Sequence, residues 1–452
     1  MSNVLASIVN YKRQLVTNSQ DVVPTEKSTR SLMQALSKPQ FGFIMECKKA
    51  SPSKGLIRDG FDLTEIVPIY NQYADAISVL TEERFFQGSY KNLEYVAKNT
   101  DKPVLCKDFI LEPKQIRQAR YYGADAILLM LSVLTDEEYR VCAEEAKKYQ
   151  LDILTEVHDK AELQRAIDLG AEIIGINNRD LKDLSTSLDN TKQLFDSIPK
   201  DRVIVTESGI NSHQDVLELS QYADSCLVGS SLMSKENLEM ACAELVYGDI
   251  KICGLTNQQD LSLVDKLATS SIGVIFADKS KRKVEQLLSA KKKPLIGVFQ
   301  NQTKDFILHK ISEYRLNGVQ LHGDESQVLI DELRQELGGD FFISKVVHVD
   351  GVLPNLNYKN LSEILLDTQV KEQQGGTGEA FDWRLLESEE IQINKAMFRI
   401  AGGLDADNVA QLKSLGFSKL DICSGSESVA GIKCPNKLDN LFKNCKVKGF
   451  SR

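Results

Sequence analysis

The chain has 452 residues, too many for one ordinary hydrophobic core, so its length predicts two domains of about 200–250 residues each. Its hydrophobic and charged fractions, 42% and 26%, are typical of a soluble globular protein. The net charge of −9 argues against a nucleic-acid partner. No apolar run approaches the length of a membrane span.

The cysteines and the basic segments indicate the setting in which the protein works. Nine cysteines are scattered without a C-x-x-C pair or zinc-like Cys/His spacing, which indicates free thiols in a reducing cytosol. The N-terminal segment 1–16 carries charges within an amphipathic pattern, so it predicts a helix and not a signal peptide. The basic runs 279–283 and 291–293 are interpreted as solvated helix faces. We therefore expect a cytoplasmic monomer with no membrane or nucleic-acid partner, no metal and no cofactor.

Eight short apolar runs, separated by amphipathic helical segments, occupy the first half of the chain. The runs are continuous and not alternating, as expected for strands buried on both faces of a parallel sheet. Residues 136–150 and 159–170 are typical of the helices between them. Eight such units in about 210 residues predict a (β/α)8 barrel, and residues 1–40 predict an added helical segment before it. The runs are 41–48, 76–81, 103–109, 126–131, 152–157, 173–178, 203–209 and 225–230.

The second half repeats this pattern of eight runs. They are 250–256, 272–277, 295–300, 318–323, 341–347, 363–368, 397–403 and 419–425. A second barrel therefore begins at about residue 250, with little room for a linker. We predict an α/β fold of two consecutive (β/α)8 TIM barrels, the first with an N-terminal helical extension. The predicted domains are residues 1–248 and 249–452.

Polar and small residues mark the strand ends of the first barrel, where catalytic groups lie in barrels of this kind. A charged side chain directly after an apolar run, such as Lys107 or Glu156, is costly unless it faces a polar cavity. One such residue is equally well explained as a structural ion pair, whereas several at one barrel mouth favour a catalytic site. The candidates are Glu46, Lys48, Lys107, Glu156, Asn177, Arg179, Glu207, Ser208, Gly209, Gly229 and Ser230.

The last two strands of each half end in small residues. The segments are "ESGI" (207–210) and "VGSS" (228–231) in the first half, and "AGGL" (401–404) and "CSGSES" (423–428) in the second. Small residues let backbone N–H groups approach a ligand, and a following helix N-terminus favours an anion. Strands seven and eight are the usual phosphate position in such barrels. The pattern predicts a phosphorylated substrate for each barrel.

Four residues of the second half are candidates for chemistry: Cys253, Arg282, His322 and Asp367. A buried cysteine is usually a small core residue, but the chain leaves the strand directly after Cys253. With Asp367 at another strand end, a thiolate and a carboxylic acid form a pair suited to proton transfer. The residues alone leave open that Asp367 is a helix cap and that His322 is a hydrogen-bonded structural histidine. The Gly-rich loop 373–383 is predicted to fold over a ligand.

A set of motifs resembles two known enzyme families. In the first half, "ECKKASPSKG", "LTEERFFQGSY", "CKDFI", "TEV", "GINNRDL", "TESGI" and "VGSSLM" resemble the indole-3-glycerol-phosphate synthase family. In the second half, "KICGLT", "GVFQN", "VQLHGDES", "LLDT", "GGTGEAFDW", "AGGL" and "DICSGSES" resemble phosphoribosylanthranilate isomerase. Together the halves resemble the fused bifunctional enzymes of tryptophan biosynthesis, and the resemblance covers nearly the whole chain.

For the second half, the resemblance implies an Amadori rearrangement of N-(5′-phosphoribosyl)anthranilate to 1-(2-carboxyphenylamino)-1-deoxyribulose 5-phosphate. Asp367 matches the acid, Cys253 the base, and Arg282 the partner of the anthranilate carboxylate. The family's Ser-Pro-Arg reads "SKR" here, and its usual Ser-Ser-Gly reads Cys423-Ser424-Gly425. The implied substrate and phosphate contacts are His322, Gly376, Gly378, Gly402, Gly403, Ser424 and Gly425.

For the first half, the resemblance implies closure of the indole ring with loss of CO2 and water. Lys107 matches the general acid, Glu156 its partner in proton transfer, and Lys48 a contact to the substrate carboxylate that also serves in dehydration. The implied aromatic walls are Phe86 and Phe109. The implied contacts to substrate hydroxyls, amine and phosphate are Glu46, Ser51, Asn177, Arg179, Glu207, Ser208, Gly209, Gly229 and Ser230.

Two alternative functions fit the same barrels. Lys107 on a barrel strand is the right kind of nucleophile for a Schiff-base sugar-phosphate lyase. A non-catalytic binder of phosphorylated metabolites would keep both barrels without turnover. Occupation of all the matched catalytic positions argues against the binder, and trapping with borohydride tests for the lyase.

Overall fold

The structure is a computed structural model that describes residues 4–18, 21–180, 185–370, 373–374 and 380–449. The chain divides into two compact units, Met1–Cys242 with Lys448–Arg452, and Ala243–Val447. Among the described residues, no helix is long and apolar enough to cross a membrane.

The first unit contains a closed barrel of eight parallel strands, as predicted. The first strand pairs in parallel with both the second and the eighth, which closes the sheet. The strands form from runs whose residues are buried on both faces, so continuous apolar runs and not alternating ones encode them. The strands are β1 (Gly42–Cys47), β2 (Ala76–Leu80), β3 (Val104–Lys107), β4 (Ala126–Met130), β5 (Asp152–Val157), β6 (Ile173–Asn177), β7 (Val203–Glu207) and β8 (Ser225–Val228).

Helices precede the first barrel and connect its strands. The predicted N-terminal extension is helical, and the helices predicted at residues 136–150 and 159–170 are confirmed. A reciprocal capping box between Thr135 and Glu138 starts the first of these two. The helices are α1 (Val4–Asn18), α2 (Leu32–Leu36), α3 (Leu63–Tyr73), α4 (Tyr90–Lys98), α5 (Pro113–Tyr121), α6 (Asp136–Lys148), α7 (Lys160–Asp168), α8 (Asp189–Phe195), α9 (His213–Leu219), α10 (Ser230–Met233) and α11 (Leu238–Tyr247). A short antiparallel hairpin joins Ala50–Ser51 to Gly55–Leu56.

The second unit contains another closed barrel of eight parallel strands, also as predicted. Its fifth and sixth strands pair in parallel and close the sheet, and a short strand, Gln373–Gln374, pairs antiparallel with the sixth. The strands are β9 (Asp249–Cys253), β10 (Ser271–Ile275), β11 (Leu295–Phe299), β12 (Gly318–Leu321), β13 (Phe342–Val349), β14 (Glu363–Val370), β15 (Phe398–Ile400) and β16 (Lys419–Ile422). One hydrophobic core, which includes Ile252, Phe299 and Phe417, packs around these strands.

Among the residues that the structure describes, fewer helices surround the second barrel than the first. They are α12 (Gln258–Val264), α13 (Lys304–Tyr314), α14 (Gln327–Leu337), α15 (Glu389–Ile393), α16 (Val409–Ser414) and α17 (Pro435–Cys445). Short 3-10 helices span Trp383–Glu387, Lys395–Met397 and Ser424–Ser426, and a hairpin joins Glu427–Val429 to Ile432–Lys433.

The interpretation of the basic runs 279–283 and 291–293 as helix faces is wrong. The stretch from β10 to β11 is described in full and forms no helix. In the first run the backbone forms a local turn, in which the Lys283 N–H donates to the Ser280 carbonyl. In the second run the Asp265 carboxylate accepts from the N–H groups of residues 291–293 at 3.0–3.2 Å. These long-range bonds override local helix propensity, and they bury Lys293.

Candidate active sites

The predicted residues of the first barrel line one cavity of about 460 Å³ at the carboxyl ends of its strands. The lining combines acidic, basic, aromatic and small residues, so it suits an aromatic substrate that carries charged groups. The predicted residues on it are Glu46, Lys48, Ser51, Phe86, Lys107, Phe109, Glu156, Asn177, Arg179, Glu207, Ser208, Gly209, Gly229 and Ser230.

Lys107 stands at the centre of the charged cluster in this cavity. It is the last residue of β3, and its Nζ donates a hydrogen bond to Glu207 and lies 4.0 Å from Glu156 Oε2. The Asn177 Nδ2 donates to Glu156 Oε1 at 3.2 Å. On another side of the cavity, Lys48 Nζ lies 3.1 Å from Glu46 Oε1. The structure thus brings six predicted polar residues from five strand ends together.

The charges of this cluster shift the pKa values of its members. Burial raises the pKa of Glu207 to about 7, although the ammonium of Lys107 beside it acts in the opposite direction. Burial would lower the pKa of Lys107, but the carboxylates of Glu207, Glu46 and Glu156 raise the pKa above the ordinary lysine value. The three carboxyl groups lie close to the ammonium groups of Lys48 and Lys107, and His158 Nε2 lies 3.5 Å from Glu156 Oε1. The raised pKa of Glu207 puts its titration close to neutral pH.

Two phenylalanines form an aromatic wall near Lys48. The rings of Phe86 and Phe109 lie 6.2 Å apart, centroid to centroid, and tilt by 40°. The Lys48 Nζ lies 5.8 Å from the centre of the Phe86 ring. The wall and the cation together suit a flat aromatic group that bears a negative substituent.

Helix α1 also contributes to the cavity, which the sequence did not predict. Its residues Val4, Leu5 and Ile8 line the cavity. The helix is anchored by Lys12, whose Nζ lies 2.6 Å from Asp108 Oδ1, and both side chains are buried. The amphipathic pattern predicted the helix but carried no signal of the surface on which it docks.

A glycine in β6 makes room for Glu207, and this residue too was missed. A Cβ at Gly175 would stand 2.3 Å from Glu207 Oε1, closer than any side chain permits. That same oxygen is buried and accepts no hydrogen bond from the described residues. Gly175 therefore lets the carboxyl group of the next strand turn towards the cavity.

In the second barrel, Cys253 ends β9 and is buried, with 4% of its surface exposed. A side-chain hydrogen bond with Cys423 is the main cause that lowers the pKa of the Cys253 thiol to about 7. Burial opposes this change, whereas the ammonium groups of Lys251 and Lys433 reinforce it. A buried cysteine with these neighbours differs from a simple core residue, because its pKa is lowered whereas burial alone would raise it.

Lys251 belongs to a polar network inside the barrel that reaches Asp367. Its Nζ donates to Asp421 Oδ2 at 2.8 Å and to Gln320 Oε1 at 2.9 Å. The Gln320 oxygen already accepts the hydrogen bond from Lys251. The Gln320 amide nitrogen, Nε2, therefore acts as the donor to His322 Nδ1, which lies 3.4 Å away. The proton of His322 then lies on Nε2, which is 3.5 Å from Asp367 Oδ2.

The structure excludes one of the alternatives that the sequence left open, the helix-cap explanation of Asp367. Asp367 lies inside strand β14, which continues to Val370, so it is not a helix cap. His322 directly follows β12 and contacts Asp367 through its ring. Lys251 was missed as a network residue, although its position two residues before Cys253 puts both side chains on the same face of the strand.

Arg282 is held by a carboxylate of its own barrel. Its Nε donates to Glu427 at 2.9–3.0 Å and its Nη2 lies 2.9 Å from Glu427 Oε2. The turn after Cys253 packs against this pair, because Gly254 has φ +80° and a Cβ there would lie 2.9 Å from Arg282 Cδ. No pattern in the sequence predicted the role of Glu427 as the partner of Arg282.

The predicted phosphate residues of the second barrel are only partly described. Gly402 and Gly403 follow β15, and Ser424 and Gly425 lie in the 3-10 helix after β16, so these four lie at neighbouring strand ends. The predicted residues Gly376 and Gly378 lie outside the described residues.

One side-chain cluster in the described part of the chain has donor atoms arranged for a metal ion. His322, His348 and Asp367 each offer one ligand atom, and these atoms lie within 4.8 Å of one another. The same His322 contacts Gln320 and Asp367 in the network above, so the cluster also has a metal-free explanation.

Two family models match the chain in the order of its barrels. The one described as indole-3-glycerol phosphate synthase matches residues 4–245, and the one described as N-(5'phosphoribosyl)anthranilate (PRA) isomerase matches residues 250–444. The chain is 45% identical over 455 residues to the Tryptophan biosynthesis protein TrpCF of Vibrio cholerae serotype O1, which covers 98% of this chain and 96% of that protein. The chain belongs to the TrpCF family.

Further relatives agree with this TrpCF assignment. The TrpCF proteins of Haemophilus influenzae and Salmonella typhi are each 41% identical to the chain, over 98% and 99% of its length and 97% and 100% of theirs. A solved structure of phosphoribosyl anthranilate isomerase from Thermotoga maritima is 28% identical, covering 44% of this chain and 98% of that one, with a TM-score of 0.36.

The TrpCF assignment confirms the predicted pair of activities. The chain is a bifunctional enzyme of tryptophan biosynthesis that acts on phosphorylated small-molecule substrates. Its N-terminal barrel is an indole-3-glycerol-phosphate synthase, a carboxy-lyase, and its C-terminal barrel is a phosphoribosylanthranilate isomerase.

Proposed function

We propose that Cys253 and Asp367 are the base and the acid of the isomerase. The carboxyl group of Asp367 gives a proton to the ring oxygen of phosphoribosylanthranilate, and the ribose ring opens to a Schiff base. The Cys253 thiolate then removes the proton from C2, and the resulting enolamine rearranges to the aminoketose. The lowered thiol pKa, close to the operating pH, is the single observation that carries this assignment.

The proposed substrate contacts of the isomerase surround this pair. Arg282 binds the anthranilate carboxylate, for which a planar guanidinium is well suited, and His322 keeps Asp367 oriented. Glu427 supports the first role because it holds the guanidinium in one orientation. The proposed phosphate contacts are Gly376, Gly378, Gly402, Gly403, Ser424 and Gly425.

In the synthase we propose that Lys107 is the general acid. Its ammonium protonates the substrate ketone oxygen while the aromatic carbon attacks, after which CO2 leaves. Glu156 exchanges protons with it, and Lys48 contacts the substrate carboxylate and assists the loss of water. The ion pairs of Lys107 with Glu207 and Glu156 support an acid that is protonated when substrate arrives.

The remaining residues of the first cavity are proposed to bind and orient the substrate. Phe86 and Phe109 form the wall for the anthranilate ring. Hydroxyl and amine groups contact Glu46, Asn177, Arg179, Glu207 and Ser208. The phosphate is proposed to lie against Ser51, Gly209, Gly229 and Ser230, where the N-terminus of α10 follows.

A Schiff-base role for Lys107 is disfavoured by its surroundings. A nucleophilic lysine needs a lowered pKa so that its amine is neutral. The pKa of Lys107 is instead raised by three carboxylates, despite burial. Borohydride added with substrate is therefore expected to trap no covalent adduct, and a reduced adduct at Lys107 in a mass spectrum would contradict the proposed acid role.

Four substitutions in the full chain test the proposed roles. Cys253→Ser and Asp367→Asn are expected to abolish isomerisation only, and Lys107→Ala and Glu156→Gln to abolish indole formation only. Loss of a general acid or base costs about a hundred- to ten-thousand-fold in rate. Anthranilate fluorescence follows the isomerase, and indole absorbance follows the synthase. Loss of both activities from Lys107→Ala in a folded protein would refute the proposed division.

We also propose that the halves 1–248 and 249–452 each carry one complete activity, in a cytoplasmic monomer that binds no nucleic acid. The net charge of −9 and the separate charged sites support this view. Light scattering of the purified chain is expected to give the mass of one 50.5 kDa chain, and a dimer mass would refute the monomer.

A further inference from the structure

The ends of β9 and β16 bring two cysteines together in the second barrel. Ile252 of β9 is paired in parallel with Ile422 of β16, so Cys253 and Cys423 follow side by side. Neighbouring strands lie about 4.8 Å apart, and disulfides join residues whose Cα atoms are about 4.4–6.8 Å apart. The two strand ends therefore have the spacing that a disulfide needs.

The two side chains also interact with each other. Each sulfur has the largest influence on the pKa of the other, and Cys423 Sγ also lies 4.0 Å from Glu427 Oε1. A side chain at Gly254, the residue after Cys253, would lie 2.9 Å from Cys423 Sγ. Cys423 Sγ thus lies against the end of the strand that carries Cys253, whereas Cys253 Sγ lies beside Gly273 of β10 and must turn towards β16 for the sulfurs to bond.

Cations around the pair favour a negative charge on one sulfur. Lys433 Nζ donates to the carbonyl oxygens of Cys253 at 2.5 Å and of Cys423 at 3.3 Å. The pKa of Cys253 is lowered and that of Cys423 is raised, first through the hydrogen bond between them. A thiolate beside a protonated thiol is the arrangement of a reactive cysteine with its resolving cysteine.

The other cysteines lack this arrangement. All nine are free thiols, and Cys434 is the only other cysteine that is not fully buried. Burial raises the pKa of six of them: Cys47, Cys106, Cys142, Cys226, Cys242 and Cys445. Cys423 is partly exposed to solvent, so a small oxidant can reach the two cysteines through Cys423.

We propose that Cys253 and Cys423 form a reversible disulfide when peroxide or an oxidised thiol reaches them, and that this bond turns the isomerase off while the synthase stays active. The inference rests on the proposed role of Cys253 as the isomerase base, because a sulfur held in a disulfide takes up no proton. Cys423 stands where the family usually has serine. Under this proposal, Cys423 is a regulatory residue.

The chemistry balances with peroxide as the oxidant. The Cys253 thiolate attacks one peroxide oxygen, the O–O bond breaks, and a sulfenic acid and hydroxide form. Hydroxide takes the proton of Cys423, whose sulfur then attacks the Cys253 sulfur and displaces a second hydroxide. With the proton first released by Cys253, the products are one disulfide and two waters from two thiols and one peroxide. A dithiol reductant reverses the bond by exchange.

The test uses the full chain treated with hydrogen peroxide and then catalase. EDTA is present because His322, His348 and Asp367 could hold a trace metal. We expect the isomerase to fall at least about tenfold and to return within about twofold after dithiothreitol, since disulfides are the reversible product of thiol oxidation. The synthase of the same chains serves as the internal control and is expected to change less than about twofold. Mass spectrometry without reductant is expected to show a peptide that links Cys253 to Cys423.

Two serine variants sharpen this test. Cys423→Ser keeps a hydroxyl donor beside Cys253 but has no resolving thiol, so peroxide should give no linked peptide and a loss that dithiothreitol does not recover. Cys434→Ser is the matched control. This variant should still lose isomerase activity with peroxide and recover it with dithiothreitol. Loss of isomerase in the wild-type chain without the linked peptide would overturn the proposal, as would a linked chain that still isomerises.

Different results would refute the proposed role of Cys253 as the base and the proposed regulatory disulfide between Cys253 and Cys423. An active Cys253→Ser variant would refute the role of Cys253 as the base, and with it the predicted loss of isomerase activity on oxidation. Formation of the linked peptide in the wild-type chain is measured separately, without any assay of activity. If the Cys253→Ser variant is inactive and the wild-type chain never forms the linked peptide, the role of Cys253 as the base is retained and only the regulatory disulfide is refuted.

Discussion

Proton transfer in the isomerase depends on the charge of one thiol, that of Cys253. Lys251 and Lys433 stabilise its thiolate, and Cys423 shares a hydrogen bond with it, while the Asp421 carboxylate acts in the opposite direction. The buried setting makes each of these charges count for more than it would in water. The thiolate is therefore available at neutral pH without any separate base to deprotonate it.

The pH dependence of the isomerase follows from this thiol. Because the active form is the thiolate, kcat/KM is expected to rise with pH through about 7. The rate at which iodoacetamide modifies Cys253 in the free enzyme should follow the same curve, with the Cys253→Ser variant as the unlabelled control. A labelling rate and a kcat/KM that both stay flat from pH 5.5 to 8.5, a window about 1.5 units on either side, would contradict the thiolate base.

The synthase should respond differently to high pH. The carboxylates around Lys107 raise its pKa above the ordinary lysine value, so its ammonium persists in alkaline solution. We expect no loss of synthase kcat/KM from deprotonation of Lys107 below about pH 10, the ordinary lysine range. A pH profile of the wild-type chain measures this. A fall with an apparent pKa below about 9 that moves to still lower pH in Glu207→Gln would assign it to Lys107 and contradict the raised lysine pKa.

At the residue scale, the sequence predicted the charged strand ends but not their partners. Lys107 and Glu156 could be found because a charge after an apolar run must face a polar cavity. Lys251 lies within such a run, and only its spacing from Cys253 hinted that both point inwards. Glu427 could not be found at all, since its ion pair with Arg282 joins residues 145 positions apart.

Helix α1 is the element whose part in the first site the sequence did not predict. It comes before the barrel in the chain, yet Val4, Leu5 and Ile8 form part of the cavity wall. The buried pair of Lys12 and Asp108 ties it to the end of β3, next to Lys107. Breaking a buried ion pair leaves one charge uncompensated and costs about 3–5 kcal/mol.

This anchoring predicts a selective effect of Lys12→Ala. Loss of the ion pair should free α1 from the cavity, raise the synthase KM at least about tenfold and leave the isomerase unchanged, since about 1.4 kcal/mol of lost binding already gives tenfold. Faster hydrogen exchange in α1 would report the release directly.

Arg13→Ala provides the matched control for this element. The Arg13 side chain is half-exposed and its closest carboxylate contact, with Glu138, measures 3.7 Å. Exposed ion pairs contribute about 0–1 kcal/mol, so both activities should persist. Equal losses in the two variants would mean that α1 is held by its apolar face and not by Lys12.

At the element scale, the strands were predictable and two other features were not. Sixteen continuous apolar runs encode the sixteen barrel strands because each strand must be buried on both faces. The docking of α1 depends on a distant carboxylate, Asp108, which periodicity does not reveal. At residues 291–293, before β11, the absence of a helix has the same cause, because Asp265 accepts hydrogen bonds from the backbone N–H groups there.

At the scale of the whole molecule, each of the two compact units carries its own candidate site. The residues proposed for the synthase all lie in Met1–Cys242, and those proposed for the isomerase all lie in Ala243–Val447. The two sites also differ in chemistry, since one uses lysines and carboxylates and the other a thiol and a carboxyl group. The product of the second unit is the substrate of the first.

A mixing experiment with two full-length variants tests the central claim most directly. Lys107→Ala should convert phosphoribosylanthranilate to the aminoketose and stop there, whereas Cys253→Ser should accept only the aminoketose. Neither variant alone should form indole-3-glycerol phosphate from phosphoribosylanthranilate, but an equal mixture should restore it, because the intermediate released by one chain serves the other. A mixture that stays inactive, or either variant completing both steps alone, would contradict two separate sites built on these residues.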